Sequence, residues 1–118
     1  MRTYFVTDKT RLTSTETSYL NNLTINSTTP ATIEVKNSGD LSKLSEIQFG
    51  CASAITATLE GKMDGTNLVQ MKTETFTGFK VWSLQYINRY DLKLSISTAS
   101  GTDIVVPVLV FMDDSFLC

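Results

Sequence analysis

Histidine is absent from this chain of 118 residues. Its absence removes Ser–His–Asp and Cys–His activation of a nucleophile, and with them the commonest metal ligand. Cysteine is nearly absent. Cys51 and Cys118 are too few for a disulfide framework or a four-thiolate zinc site, and read as a buried thiol and a terminal one. A bond between them would need their Cα atoms within about 7 Å, which the sequence leaves open. No apolar run approaches the roughly 18 residues that span a bilayer, and the N-terminus MRTYFVTDKTRLTS lacks the apolar centre of a signal peptide. The expectation is a soluble chain made in a cytoplasm, with no membrane partner. The acceptor patterns Asn22-Leu23-Thr24 and Asn26-Ser27-Thr28 then reflect Thr-rich composition rather than glycosylation. Excess positive charge is missing as well. Ten Lys and Arg are scattered against twelve acids, for a net charge of −2, so nothing offers phosphates a basic face and no nucleic-acid partner is expected.

The chain does have enough apolar residues for one core. A hydrophobic fraction of 42% in 118 residues fits a single globular domain. The clearest local pattern lies in residues 54–67, AITATLEGKMDGTN. Ile55, Ala57 and Leu59 alternate with Thr56, Thr58 and Glu60, the period of two that marks a half-buried strand. Asp64-Gly65 supplies the turn, because glycine tolerates the positive φ of tight hairpins, and residues 68–71 resume the strand.

The same period recurs downstream. Residues 31–36 alternate around Ile33 and Val35, and Asn37-Ser38-Gly39-Asp40 closes them with turn chemistry. Residues 41–46 alone have helix-like spacing, enough for one turn, before a strand at Ile47-Gln48-Phe49-Gly50. Residues 73–78 are polar and predicted as a loop. Residues 79–84 alternate Phe79, Val81 and Ser83 with Lys80, Trp82 and Leu84. Residues 86–97 make the most amphipathic strand, with Tyr90, Leu92, Leu94 and Ile96 on one side, and Ala99-Ser100-Gly101-Thr102 turns the chain. The last strand, residues 104–112, is apolar on both faces, which predicts burial on both. Pro107 belongs at a sheet edge or bulge, and an edge strand apolar on both sides invites aggregation unless a neighbour covers it. Either this chain's own N-terminal segment or another subunit would resolve that conflict. Seven or so short strands and no sustained helix predict an all-β fold, an antiparallel β-sandwich of Ig-like or jelly-roll type.

The N-terminal segment reads differently. Ser and Thr dominate it, and its apolar residues come as isolated clusters. It reads as an extended arm (1–30) ahead of a sandwich domain (31–118), docking by strand addition. On that reading, deleting the arm leaves a folded sandwich that no longer assembles. The other reading makes the segment the first strands of the same sandwich. The interface residues so predicted are Tyr4, Phe5, Val6, Tyr19 and Leu20 in the arm, with Val105, Pro107, Leu109 and Phe111 in the last strand.

Candidate chemistry is sparse. Asp64, Asp103 and Asp113-Asp114 lie in or beside turns without the ligand-rich spacing of a calcium loop, and twelve acids can be paired on paper in too many ways to mark a glycosidase. No metal, cofactor or catalytic residue is predicted. Aromatics are concentrated in one stretch, at Phe76, Phe79, Trp82, Tyr86 and Tyr90. Phe79, Trp82 and Tyr86 would be the platform if the chain stacks on sugar rings; core packing is the alternative, with Trp82 the least settled. Gly61, Gly65 and Gly78 read as turn glycines, since no strand–glycine-rich loop–helix context surrounds them.

LEGKMDGTN, followed downstream by YINRYDLKLSI, resembles a pattern of small β-sandwich domains. These are structural proteins of tailed bacteriophages (decoration, head-fibre and tail-associated modules) and, more distantly, discoidin-like carbohydrate-binding sandwiches. The matching residues are Leu59, Glu60, Gly61, Asp64, Gly65, Thr66 and Asn67, then Arg89, Tyr90, Leu92 and Leu94. Leu68 stands where the pattern has Trp, and Lys62 where it has Ser. The resemblance spans roughly half of the chain, at turn and core positions. It implies a non-enzymatic virion protein that decorates or links a capsid or tail. Its partners would be other virion proteins and copies of itself, a trimer among the options. The second function it suggests is carbohydrate binding through the aromatic cluster.

Overall fold

The structure, a computed structural model, describes residues 2–6, 18–35, 43–84 and 90–113, with side chains over 22–35, 46–84 and 90–110. Every regular element among them is a strand: β1 (Arg2–Val6), β2 (Ser18–Ile25), β3 (Ala31–Val35), β4 (Lys43–Gly61), β5 (Val69–Ser83), β6 (Leu92–Thr98) and β7 (Ile104–Asp113). The all-β class holds. All seven strands join one hydrogen-bonded sheet, ordered β1-β3-β6-β4-β7-β2, with β5 on the free side of β4.

That sheet is folded across its own strands and nearly closes on itself. The C-terminal part of β4 pairs with β6 from Ile55↔Thr98 to Gly61↔Leu92, whereas its N-terminal part pairs with β7 from Lys43↔Asp113 to Phe49↔Val108. β5 follows β4 through both parts. The β3/β6 half therefore holds β1, β3, β6 and the tip of the β4–β5 hairpin, and the β2/β7 half holds β2, β7 and the hairpin's base. Small or polar residues form the spine between them. Chain crosses it at the Asn26–Pro30 turn, at residues 99–103, at Ala52-Ser53-Ala54 of β4 and beside Gly78 of β5. β4 spends four residues from Cys51 to Ile55 where β5 spends two from Gly78 to Phe76, so β4 takes the longer path. Gly78 reaches the bend with φ of 93°, a conformation side chains disfavour. Short bonds lace the spine: Ser27 N donates to Ser100 O at 2.7 Å, Asn26 Nδ2 to Asp103 Oδ1 at 2.7 Å, and Thr98 Oγ1 to Ala54 O at 2.9 Å.

One core lies inside the fold. Ile47, Phe49 and Cys51 from the first part of β4 and Ile55, Ala57 and Leu59 from the second share it with Leu23, Ile25, Ile33, Leu94, Ile96, Val106 and Val108. Phe49 sits at its centre, edge-on to Phe76 (centroids 5.3 Å apart) and Trp82 (5.0 Å), a favoured arrangement for rings whose faces and edges carry opposite partial charge.

Four expectations change. Residues 73–78 are strand rather than loop: Thr73 and Thr75 face Thr58 and Thr56 across the hairpin, and their hydroxyls bond at 3.0 and 2.9 Å. The turn of helix expected at 41–46 is strand from Lys43 onward, and a bulge between Leu44 and Glu46 supplies the extra residue that breaks the period of two. The last strand is not an edge. β7 lies between β4 and β2, its pairing with β4 ends at Phe49↔Val108, one residue short of Pro107, and only alternate residues, Val106, Val108 and Val110, are buried. Gly61 and Gly78 lie within strands; at Gly61 a Cβ would collide with the Met71 methyl group.

The N-terminal segment supplies strands to this chain's own sheet, the second of its two readings. β1 pairs parallel with β3 and β2 antiparallel with β7, and Leu23 and Ile25 are fully buried. The turn segment 37–40 lies outside the described residues.

Candidate functional site

Strand alternation decides which side chains the molecule shows. In the β2/β7 half, the positions opposite the core are Asn22 and Thr24 on β2, Val105, Pro107 and Leu109 on β7, Glu46, Gln48 and Gly50 on β4, and Phe79, Val81 and Ser83 on β5. Register sets them in rows. Phe79 is opposite Gly50, Pro107 is opposite Asn22, and the Pro107 ring lies beside Gly50; Val81, Gln48 and Leu109 form the next row. Phe79 is 71% exposed, Val105 57% and Val81 38%. A contiguous apolar face on a soluble monomer usually marks an interaction site. Its polar members are neutral apart from Glu46, whose carboxylate accepts a hydrogen bond from Gln48 Nε2 at 3.3 Å.

Of the predicted interface residues, the structure brings Val105, Pro107 and Leu109 together on this face. Phe79 and Val81 join them from β5. Val81 escapes a reading of residues 79–84 for aromatic stacking, although the alternation of that stretch already sets Phe79 and Val81 on one side. Leu20 is paired with Leu109, and Tyr19 with Val110; Phe111 pairs with Ser18, and Tyr4, Phe5 and Val6 with Ile33, Glu34 and Val35. The side chains of Tyr4, Phe5, Val6, Tyr19, Leu20 and Phe111 lie outside the described residues.

The sugar platform does not assemble. Phe79 and Trp82 are an odd number of residues apart on one strand and point to opposite faces, and Trp82 is only 1% exposed. Its indole Nε1 donates to Glu74 Oε1 at 3.0 Å, and Lys80 Nζ meets Glu74 Oε2 at 2.7 Å. The hydrogen bonds from Lys80 and then Trp82 lower the Glu74 pKa. Lys72 Nζ lies 5.4 Å from the Trp82 ring centre. These charges sit on the inward side of β5, which pairs with β4 alone among the described residues, and so discourage pairing with a foreign strand. Tyr86 lies outside the described residues.

The remaining candidates have local roles. Asp64 accepts hydrogen bonds from the backbone N–H of Thr66 (2.8 Å) and Asn67 (2.7 Å) and from Asn67 Nδ2 (3.0 Å). Those donors, the Asn67 amide foremost, hold its pKa at about 2 against an ordinary 3.8. This fixes a hairpin tip that exposes Met63, Leu68 and Val69, a smaller apolar cluster beside the charges of Lys62 and Asp64. Asp103 accepts from Asn26 at the spine. The Asp113 side chain, Asp114 and Cys118 lie outside the described residues. Cys51 is a free, buried thiol whose Sγ lies 3.6 Å from the carbonyl oxygens of Phe76 and Gly78. Among the described residues, no three acids or cysteines gather as a metal site, and no helix is long and apolar enough to cross a membrane.

No family model matches the chain, and no curated protein matches it. Among solved structures, the crystal structure of Yersinia pseudotuberculosis-derived mitogen is similar, with a TM-score of 0.58 and 14% identity over 83% of this chain and 87% of that one. At that identity the likeness is one of fold.

Proposed function

We propose that the chain is a non-enzymatic structural protein of a tailed-bacteriophage virion, decorating or linking a capsid or tail. It works by burying the outer face of its β2/β7 half against another protein subunit. The observation that carries the contact is the convergence of Phe79, Val81, Val105, Pro107 and Leu109 on one predominantly apolar face. Among its described residues the face offers no nucleophile paired with a base, and its one carboxylate, Glu46, is held by Gln48. It offers apolar area on rigid strands, which is what association without turnover needs. The resemblance carried by Leu59–Asn67 and Arg89–Leu94 supports the virion part of the reading.

Fractionation of particles tests it. In a density gradient of virions from cells expressing the gene, the chain should band with the particles in a constant ratio to the major capsid protein. Phe79→Asp and Val105→Asp, which charge the face and leave the core intact, should move the chain to the soluble fraction. A wild-type chain that stays soluble while particles band normally refutes the virion role.

A further inference from the structure

We propose that the outer face of the β2/β7 half is closed by a second copy of this chain. The two copies pack face to face about a two-fold axis, and Phe79 of each sits in the notch above Gly50 of the other. This rests on the contact surface assigned above and names its occupant.

Gly50 carries the argument. It lies inside β4, between the core residues Phe49 and Cys51, and is itself only half-buried on its outer side, beside the Pro107 ring. Other glycines of the hairpin have reasons internal to the chain. Gly65 and Gly78 have φ of 83° and 93°, and Gly61 has the Met71 methyl group where its Cβ would go. Gly50 has neither. It is not among the positive-φ glycines, and a Cβ there would meet Pro107 Cγ at 3.5 Å, an ordinary contact. A glycine in a strand interior weakens the strand, and one that the fold does not require marks a place where another surface approaches closely.

What approaches is suggested by the neighbours. Phe79, 71% exposed, is directly opposite Gly50, and Pro107 flanks it on the other side. A projecting ring beside a shallow notch, walled by the Pro107 ring, is self-complementary under a two-fold rotation, because each copy presents what the other lacks. Charge agrees. The rows holding Phe79, Gly50, Pro107 and Asn22, and Val81, Gln48 and Leu109, contain no ionisable side chain; Glu46, which accepts from Gln48 at 3.3 Å, lies one row beyond them, away from the Phe79–Gly50 pair. The outer face of the other half, by contrast, carries the row Glu34, Lys93 and Glu60. Size sets the strength. Four strands about 4.8 Å apart and six residues at about 3.3 Å give a footprint of roughly 400 Å². A standard interface buries about 800 Å² per partner, so the dimer should be weak and not obligate.

Sedimentation equilibrium of the purified full-length chain, from low micromolar to millimolar concentration, tests this without any particle. The wild type should pass from monomer to dimer mass. Gly50→Val should weaken the dimer on the order of thirtyfold, the loss a buried aromatic anchor gives, while circular dichroism and melting temperature show an intact monomer. Phe79→Ser should do the same, and Thr75→Val on the opposite outer face should leave the dimer unchanged. The glycine variant is the sharper probe. It adds apolar surface, so non-specific adhesion would strengthen, whereas a filled notch must weaken association. A monomer at every concentration overturns the proposal, as does a trimer, or a dimer that survives Gly50→Val. A dimer that never bands with virions would instead refute the virion role and leave this inference standing.

Discussion

On the outer face of the β3/β6 half, Thr56 bonds Thr75 and Thr58 bonds Thr73, and Ser95 and Ser97 continue the same rows. On the outer face of the β2/β7 half, further along the same two strands β4 and β5, Gln48 and Gly50 lie beside Val81 and Phe79. The hairpin runs unbroken through both halves and buries the same type of residue beneath each. What changes at the spine is only what the strands show outward. A ladder of cross-strand hydroxyls satisfies itself and water together and needs no partner. Phe79, Val81 and Val105 have no such resolution within the monomer. The core explains why the chain folds; the contrast between its exteriors indicates where it makes contact.

The comparison is broken most severely by removing the strand that borders the apolar face. Deleting residues 1–30 removes β2, uncovers β7 as an edge and strips Leu23 and Ile25 from the core. The truncated chain should lose its cooperative thermal transition; a folded truncation would mean that β2 is dispensable. Next come the interiors. Phe49→Ala beneath the apolar face should cost about 3–5 kcal/mol and Leu59→Ala beneath the polar face about 2–5 kcal/mol, both read from urea denaturation. A loss confined to one of them would show that the halves do not share a core.

A smaller effect distinguishes the hairpin tip of the polar half. Asp64 has its pKa lowered to about 2 in the fold from 3.8. Its contribution is complete above the unfolded value and fades as pH falls from about 3.8 through 2, because protonation removes the acceptor that the Asn67 and Thr66 amides use. The melting-temperature gap between wild type and Asp64→Ala should close over that window. A constant gap would mean that the charge is not what holds the turn. The smallest effects are on the exteriors. A Thr58→Ala/Thr73→Ala double-mutant cycle should return a coupling of roughly 0.2–1 kcal/mol. Phe79→Ser should shift monomer stability by no more than about 0.5 kcal/mol, as expected of an exposed side chain outside the core.

Much of this fold could be read residue by residue. Ile55, Ala57 and Leu59, then Leu92, Leu94 and Ile96, announce their buried side by alternation, and Asp64-Gly65 announces its turn. What misleads is composition taken as conformation. Thr73–Gly78 looks like a loop by polarity, yet threonine suits a strand whose outer side faces another threonine. β7 looks buried on both sides because nearly all its residues are apolar, whereas register buries only every second one. The contact face is half legible. Val105, Pro107 and Leu109 stand out in sequence, but their adjacency to Phe79 and Gly50 depends on pairing between segments far apart in the chain, which no local pattern contains.

The spine has a kinetic consequence. Each half-sheet is assembled from strands that leave for the other half before their own neighbours are made: β3 needs β6, β6 needs the far part of β4, and β7 needs the near part. No contiguous stretch of chain holds a complete half, so neither half can wait as a stable intermediate while the other is synthesised. Such a topology closes its loops first and gains its contacts late, which makes for slow, all-or-none folding. Until β6 and β7 are made, the β4–β5 hairpin can pair its own two strands, but the other edge of β4 stays open to foreign chains.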